Sequence, residues 1–117
     1  MDTRTKAEPP SAVNEVRLVG RLAAEPVEVT LPSGDKLVTF RVNVARDNAT
    51  TRQKVDALEC SAWTARVRRS VGRWRAGDVV EVEGAVRRRF FRTTTGAASR
   101  VEIEVAAGRL IRRAPDA

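Results

Sequence analysis

The sequence predicts an all-β domain: a five-stranded, partly open Greek-key barrel with one helix between the third and fourth strands. Three observations carry this. Apolar residues recur at every second position in several short runs, the period of strands with one buried face. Gly20 and Gly84 fall inside such runs, where a glycine permits the bulge or bend that lets a short sheet coil and close. A single segment, after Trp63, switches to a helical period.

The first strand comes from VRLVGRL, which places Val16, Leu18 and Leu22 on one face and Arg17 and Arg21 on the other. A brief VEVTL run then reaches LPSGDK, where Pro32, Ser33 and Gly34 carry the chemistry of a hairpin turn. LVTFRVNVAR opposes Val38, Phe40, Val42 and Val44 to Thr39, Arg41 and Asn43. The polar stretch 47–54 reads as a mobile loop. VDALECSAW turns Leu58, Cys60 and Ala62 inward and Ala57, Glu59, Ser61 and Trp63 outward. In the helix, Val67, Val71 and Trp74 share one face, which makes Trp74 core, and Gly77 stands where a C-terminal cap belongs. DVVEVEGAVRRRFF is a long fourth strand, TTTGAAS a turn, and RVEIEV a closing strand with Val101, Ile103 and Val105 inward.

The 117 residues suit one domain. Residues 1–12 are polar, contain Pro9 and Pro10 and read as a flexible arm; 13–112 form the folded domain and 113–117 a short end. Lys and Arg total 22 against 15 acids, a net charge of +7 that suits a polyanionic partner. Nineteen of the 22 are Arg, an excess that a codon bias toward Arg, Ala and Val also explains. With no His and a single cysteine, Cys60, the chain has no Ser-His-Asp chemistry, no internal disulfide and no thiolate metal cluster. The acids are scattered among Arg, so neither an enzyme nor a metal or other cofactor is expected. No apolar run reaches the length of a membrane span or a signal-peptide core, and a soluble cytoplasmic protein is expected.

The five-strand plan is that of the oligonucleotide- and oligosaccharide-binding fold (OB-fold), whose exposed sheet face and hairpin loops hold nucleic acid. The blocks NEVRLVGRLAAEPVEV, LPSGDKLVTFRVNVAR, ECSAWTARVRRSVGRWRAGDVVEVEGAVRRRF and TTTGAASRVEIEV, in this order over residues 14–111, resemble the bacterial single-stranded-DNA-binding proteins. The resemblance implies a homotetramer, with a dimer as the smaller alternative, that wraps single-stranded DNA without strong sequence preference, in replication, recombination or repair. It also implies base stacking on Trp63 and Phe91. Two further stacking aromatics of the family are replaced, near Asn48 and Ala57, and the chain ends RLIRRAPDA where the family's main members carry a long tail with an acidic tip. Recruitment of repair enzymes through such a tail is not expected, and the resemblance is to a tailless or auxiliary member.

The candidate nucleic-acid site follows from alternation. In AVRRRFFRTTTGA, Phe90 falls on the face of Val80, Val82 and Val86, as core or interface packing, unless a bulge at Gly84 resets the register. Phe91 falls with Glu81, Glu83, Arg87 and Arg89, as a surface ring that can receive a base while Arg87, Arg89 and Arg92 hold phosphates. A Phe capping the barrel mouth would leave the same pattern. Trp63 shares its face with small Ala57 and Ser61, leaving room for a flat ligand, although packing on the following helix is the alternative. Arg41 and Arg46 are candidate phosphate contacts and Asn43 a hydrogen-bonding one. Arg66 belongs to a run of helix Arg that could equally be a solvated face. Glu102 and Glu104 either pair with neighbouring Arg or mark a side that DNA avoids. Two other functions fit the residues: an RNA-binding module of the same fold, and an assembly paralogue that oligomerises with a full-length family member.

Overall fold

Alternating burial along each apolar run makes strands, and the structure, a computed structural model, strings them in the order β1 (Val16–Leu22), β2 (Val27–Thr30), β3 (Lys36–Ala45), β4 (Val55–Ala62), α1 (Ala65–Val71), β5 (Val79–Thr93) and β6 (Gly96–Arg112). It describes residues 11–47, 52 and 54–115. Most of the expected arm at 1–12, most of the expected loop at 47–54, the Asn48 position and residues 116–117 lie outside that description.

The sheet runs β1-β5-β6-β4-β3-β2, and an added β1–β3 pairing closes five of the strands into the expected barrel. The sixth, β2, is the VEVT run, which forms a short hairpin with β3 and extends one edge. Two seams are brief: Arg21 and Leu22 meet Asn43 and Val42, and β4 meets β6 in parallel at Cys60↔Ile103 and Ser61↔Glu104. The ring is therefore closed unevenly, with its longest ladder between β5 and β6.

Glycine makes the closure possible at two points. A Cβ on Gly20 would stand 2.3 Å from the Asn43 carbonyl oxygen, where β1 leaves β5 and crosses to β3. A Cβ on Gly84 would stand 2.0 Å from the Glu104 carbonyl oxygen. At that glycine the β5–β6 register shifts between Glu83 and Gly84, but the additional residue, Ala106, lies on β6. Alternation along β5 is consequently not reset.

Inside the barrel, Leu22, Phe40, Val42, Cys60, Val71, Val80, Val82, Ile103 and Val105 form one core. Helix α1 starts at Thr64, whose hydroxyl accepts the Val67 N–H at 3.3 Å, and delivers Val67 and Val71 to that core. It ends earlier than the sequence suggests. Gly72, with φ −65°, is the C-cap, and Gly77, with φ 86°, belongs to the turn before β5. Trp74 nonetheless lies in the core, edge-on to Phe40 with ring centroids 5.5 Å apart. On the outer surface Glu81 joins three strands, bonding Arg109 of β6 at 2.6 Å and Arg17 of β1. Those two guanidinium groups hold its carboxyl below the usual range.

One of the two alternatives for Phe90 fails: the ring is 76% exposed, so it is not core packing within the chain. It shares a face of β5 with Val86, and along the β5–β6 hairpin beyond Ile103 that face is exposed among the described residues. Val86 and Val101 are exposed there as well.

Candidate nucleic-acid interface

Strand order decides which side chains meet. Because β4 lies between β3 and β6, Trp63, just past the end of β4, stands between the β2–β3 hairpin and the β5–β6 hairpin. The two hairpins enclose a cleft of about 520 Å³. Val29, Leu31, Leu37 and Thr39 form one wall; Arg89, Phe90, Phe91, Arg100 and Glu102 form the other; Trp63 lies between. Volumes of this order and an apolar lining with few polar groups are typical of ligand sites.

Trp63 is half-buried, and both ends of the residue are fixed. Its indole N–H donates to Ser61 Oγ at 3.1 Å, and its backbone carbonyl accepts Arg68 Nη1 from the helix. Arg89 lies over the ring, 5.1 Å from the centroid. Phe91, 43% exposed, has Arg100 at 5.9 Å from its centroid. The cleft thus brings Trp63, Phe91 and Arg89 together.

Arg87 shares the Phe91 face and lies 3.6 Å from Glu104. Arg41 and Asn43 continue that outer surface along β3 from Thr39, and Arg46 lies just past the strand end. Arg41 is paired with Glu59 at 2.5 Å and Arg46 with Asp56 at 2.7 Å. The Arg46 hydrogen bond holds the Asp56 carboxyl below its usual range. Arg92 is opposite Ala97 and alternates with Phe91, so it lies on the Phe90 face of the hairpin. Arg66 is exposed in the first turn of α1 and does not line the cleft.

Two groups of cleft residues were not anticipated from the sequence. Arg100 lines the cleft and pairs with Glu102 at 3.6 Å. Leu37 is 4% exposed although it alternates with Phe40 and belongs to the polar face of β3. An apolar residue out of phase with its strand, next to the LPSG turn, was the signal that could have identified this wall. Glu102 and Glu104 pair with Arg87, Arg89 and Arg100, the first of the two alternatives for these acids.

Among the described residues no group of three or more His, Cys, Asp or Glu side chains is placed to hold a metal ion. No helix there is long and apolar enough to cross a membrane. No curated protein matches the chain significantly. Among solved structures, one described as a Plasmodium falciparum SSB complex with ssDNA is similar, with a TM-score of 0.67 and 25% sequence identity. The match covers 90% of this chain and 98% of that one. The family profile described as the single-strand binding protein family matches residues 13–111. With barrel, cleft and profile in agreement over nearly its whole length, the chain belongs to the single-strand binding protein family.

Proposed function

We propose that the protein binds single-stranded DNA with little sequence preference, stacking bases on Trp63 and Phe91 and holding phosphates with Arg groups around the cleft. The observation that carries this reading is the convergence of three aromatic side chains, Trp63, Phe90 and Phe91, and two guanidinium groups on one cleft between two hairpins, in a chain of the single-strand binding family. Aromatic faces accept any base, and Arg tracks the backbone, so the pair of features gives sequence tolerance. Arg41, Asn43 and Arg46 extend the path along β3, and Arg87 along β5. The reading is non-catalytic, and it includes a role where single strands arise, in replication, recombination or repair. A homotetramer belongs to the same reading; exposed Val19 on β1 and Val86 and Val101 beyond the barrel supply apolar surface for subunit contact.

A titration of labelled oligo-dT at two salt concentrations tests it. Binding should weaken steeply with salt, because phosphate contacts release counterions. Phe91→Ala should weaken binding by about fivefold to a hundredfold, the equivalent of roughly 1–3 kcal/mol for one stacked base, with Tm unchanged. Unaltered affinity would remove Phe91 from the site. Equal or tighter binding of oligo-U would favour the RNA-binding alternative, and an oligomer indifferent to DNA would favour a purely structural role.

A further inference from the structure

Phosphate capture and base stacking leave one group in the cleft without a task. Among the described residues Glu102 is the one carboxylate that lines it, and it is only 5% exposed. One of its oxygens accepts the Ser61 hydroxyl. Two guanidinium groups approach the same carboxylate, Arg89 at 3.5 Å and Arg100 at 3.6 Å. Glu104, on the same face, accepts Arg89 Nη2 at 2.5 Å.

Those two Arg residues are also the ones lying over the rings, Arg89 on Trp63 and Arg100 on Phe91. Each candidate stacking surface therefore carries a cation, and each cation is paired with a carboxylate. The arrangement is not fully satisfied. Arg89 Nε is buried 3.5 Å from Glu102 and makes no hydrogen bond, which is costly for a charged donor.

We propose that Glu102, assisted by Glu104, is an affinity-setting residue of the single-strand site. Its carboxylate stands in for a phosphate, holding Arg89 and Arg100 over Trp63 and Phe91 until a DNA strand displaces it. Glu102 meets both guanidinium groups as ion pairs and Glu104 adds a hydrogen bond to Arg89, and a phosphate oxygen can take over either kind of contact. Exchange frees the rings for bases and leaves the carboxylate to be neutralised by solvent cations. A single phosphate does not compensate for both losses, whereas a strand offering successive phosphates and bases does. This inference rests on the single-stranded-DNA reading of the cleft.

The test is Glu102→Gln, which keeps the shape and can still accept the Ser61 hydroxyl. Oligo-dT should bind several-fold more tightly at low salt, and log K should fall more steeply with log salt, since one carboxylate fewer remains to take up a cation. Glu25→Gln makes the same charge change on the exposed loop after β1 and should give a distinctly smaller gain. The gain from Glu102→Gln should shrink in an Arg89→Gln background. Equal or weaker binding by a folded Glu102→Gln protein overturns the proposal, as does a gain matched by Glu25→Gln or undiminished without Arg89. Should Glu102→Gln fail to fold, Glu104→Gln, at a partly exposed position, must show the same gain and the same dependence on Arg89. A wild-type chain that ignores oligo-dT at every salt concentration sinks the underlying DNA reading and this proposal with it.

Discussion

Cys60 faces the barrel interior opposite Phe40, with its thiol directed to the Leu58 carbonyl at 3.7 Å. Burial, reinforced by the nearby charges of Glu59 and Glu102, pushes the thiol up to about 12. Since the thiolate is the reactive form, iodoacetamide at pH 8 should leave the folded protein unlabelled, and labelling in urea should track unfolding. Rapid alkylation of the native protein would contradict that burial. The inward position of Cys60 was legible because strict alternation in VDALECSAW fixes which side chains share a face. Alternation likewise put Arg89 and Phe91 on one face, while the resemblance singled out Trp63 and Phe91. The exposure of Phe90 was not legible, because alternation reports a face and not whether anything covers it. Arg100 was missed because its role depends on Phe91, nine positions away in sequence and brought near only by the hairpin register.

At the scale of elements, the turn between α1 and β5 fixes the end of β6. Asp78, fully buried, accepts the Arg75 N–H and the Ala114 N–H, each at 2.8 Å, and pairs with Arg113 at 3.1 Å. Burial alone would push this carboxyl up, but the two backbone N–H groups and the Arg113 guanidinium outweigh it and hold it below the usual range. A depressed carboxyl contributes stability that is fully present above its unfolded value of about 3.9 and is lost as pH falls through the folded value. Asp78→Asn should therefore cost about 1–3 kcal/mol at pH 7, seen as a lower Tm, and the gap to wild type should narrow below pH 4. A gap that is constant with pH would mean the charge is irrelevant to the clamp. The sequence hid this connection: Asp78 reads as an ordinary strand start, and Gly77 beside it reads as a helix cap, because the helical spacing of Trp74 continues past the point where Gly72 ends α1.

Across the whole molecule, the five-strand barrel and its helix were legible because apolar period and turn chemistry agree over most of the chain, while the seams that close it leave no local signature. Those seams have a consequence for how the protein comes to be folded. The β5–β6 hairpin is joined by Thr94 and Thr95 alone and pairs without a long loop to close, whereas Val16 must find Gly84 across most of the domain. Non-local pairing of this kind places refolding in the millisecond-to-second range. In stopped-flow experiments, Leu18→Ala in β1 should mainly speed unfolding, and Val82→Ala in β5 should slow refolding; the reverse pattern would make β1 part of the nucleus. During synthesis the order is unfavourable: β1 emerges first and β5, its partner along most of its length, last but one. Until β5 has left the ribosome, the apolar side of the first strand is uncovered, and the nascent chain carries a sticky edge for almost the entire time it takes to make the domain.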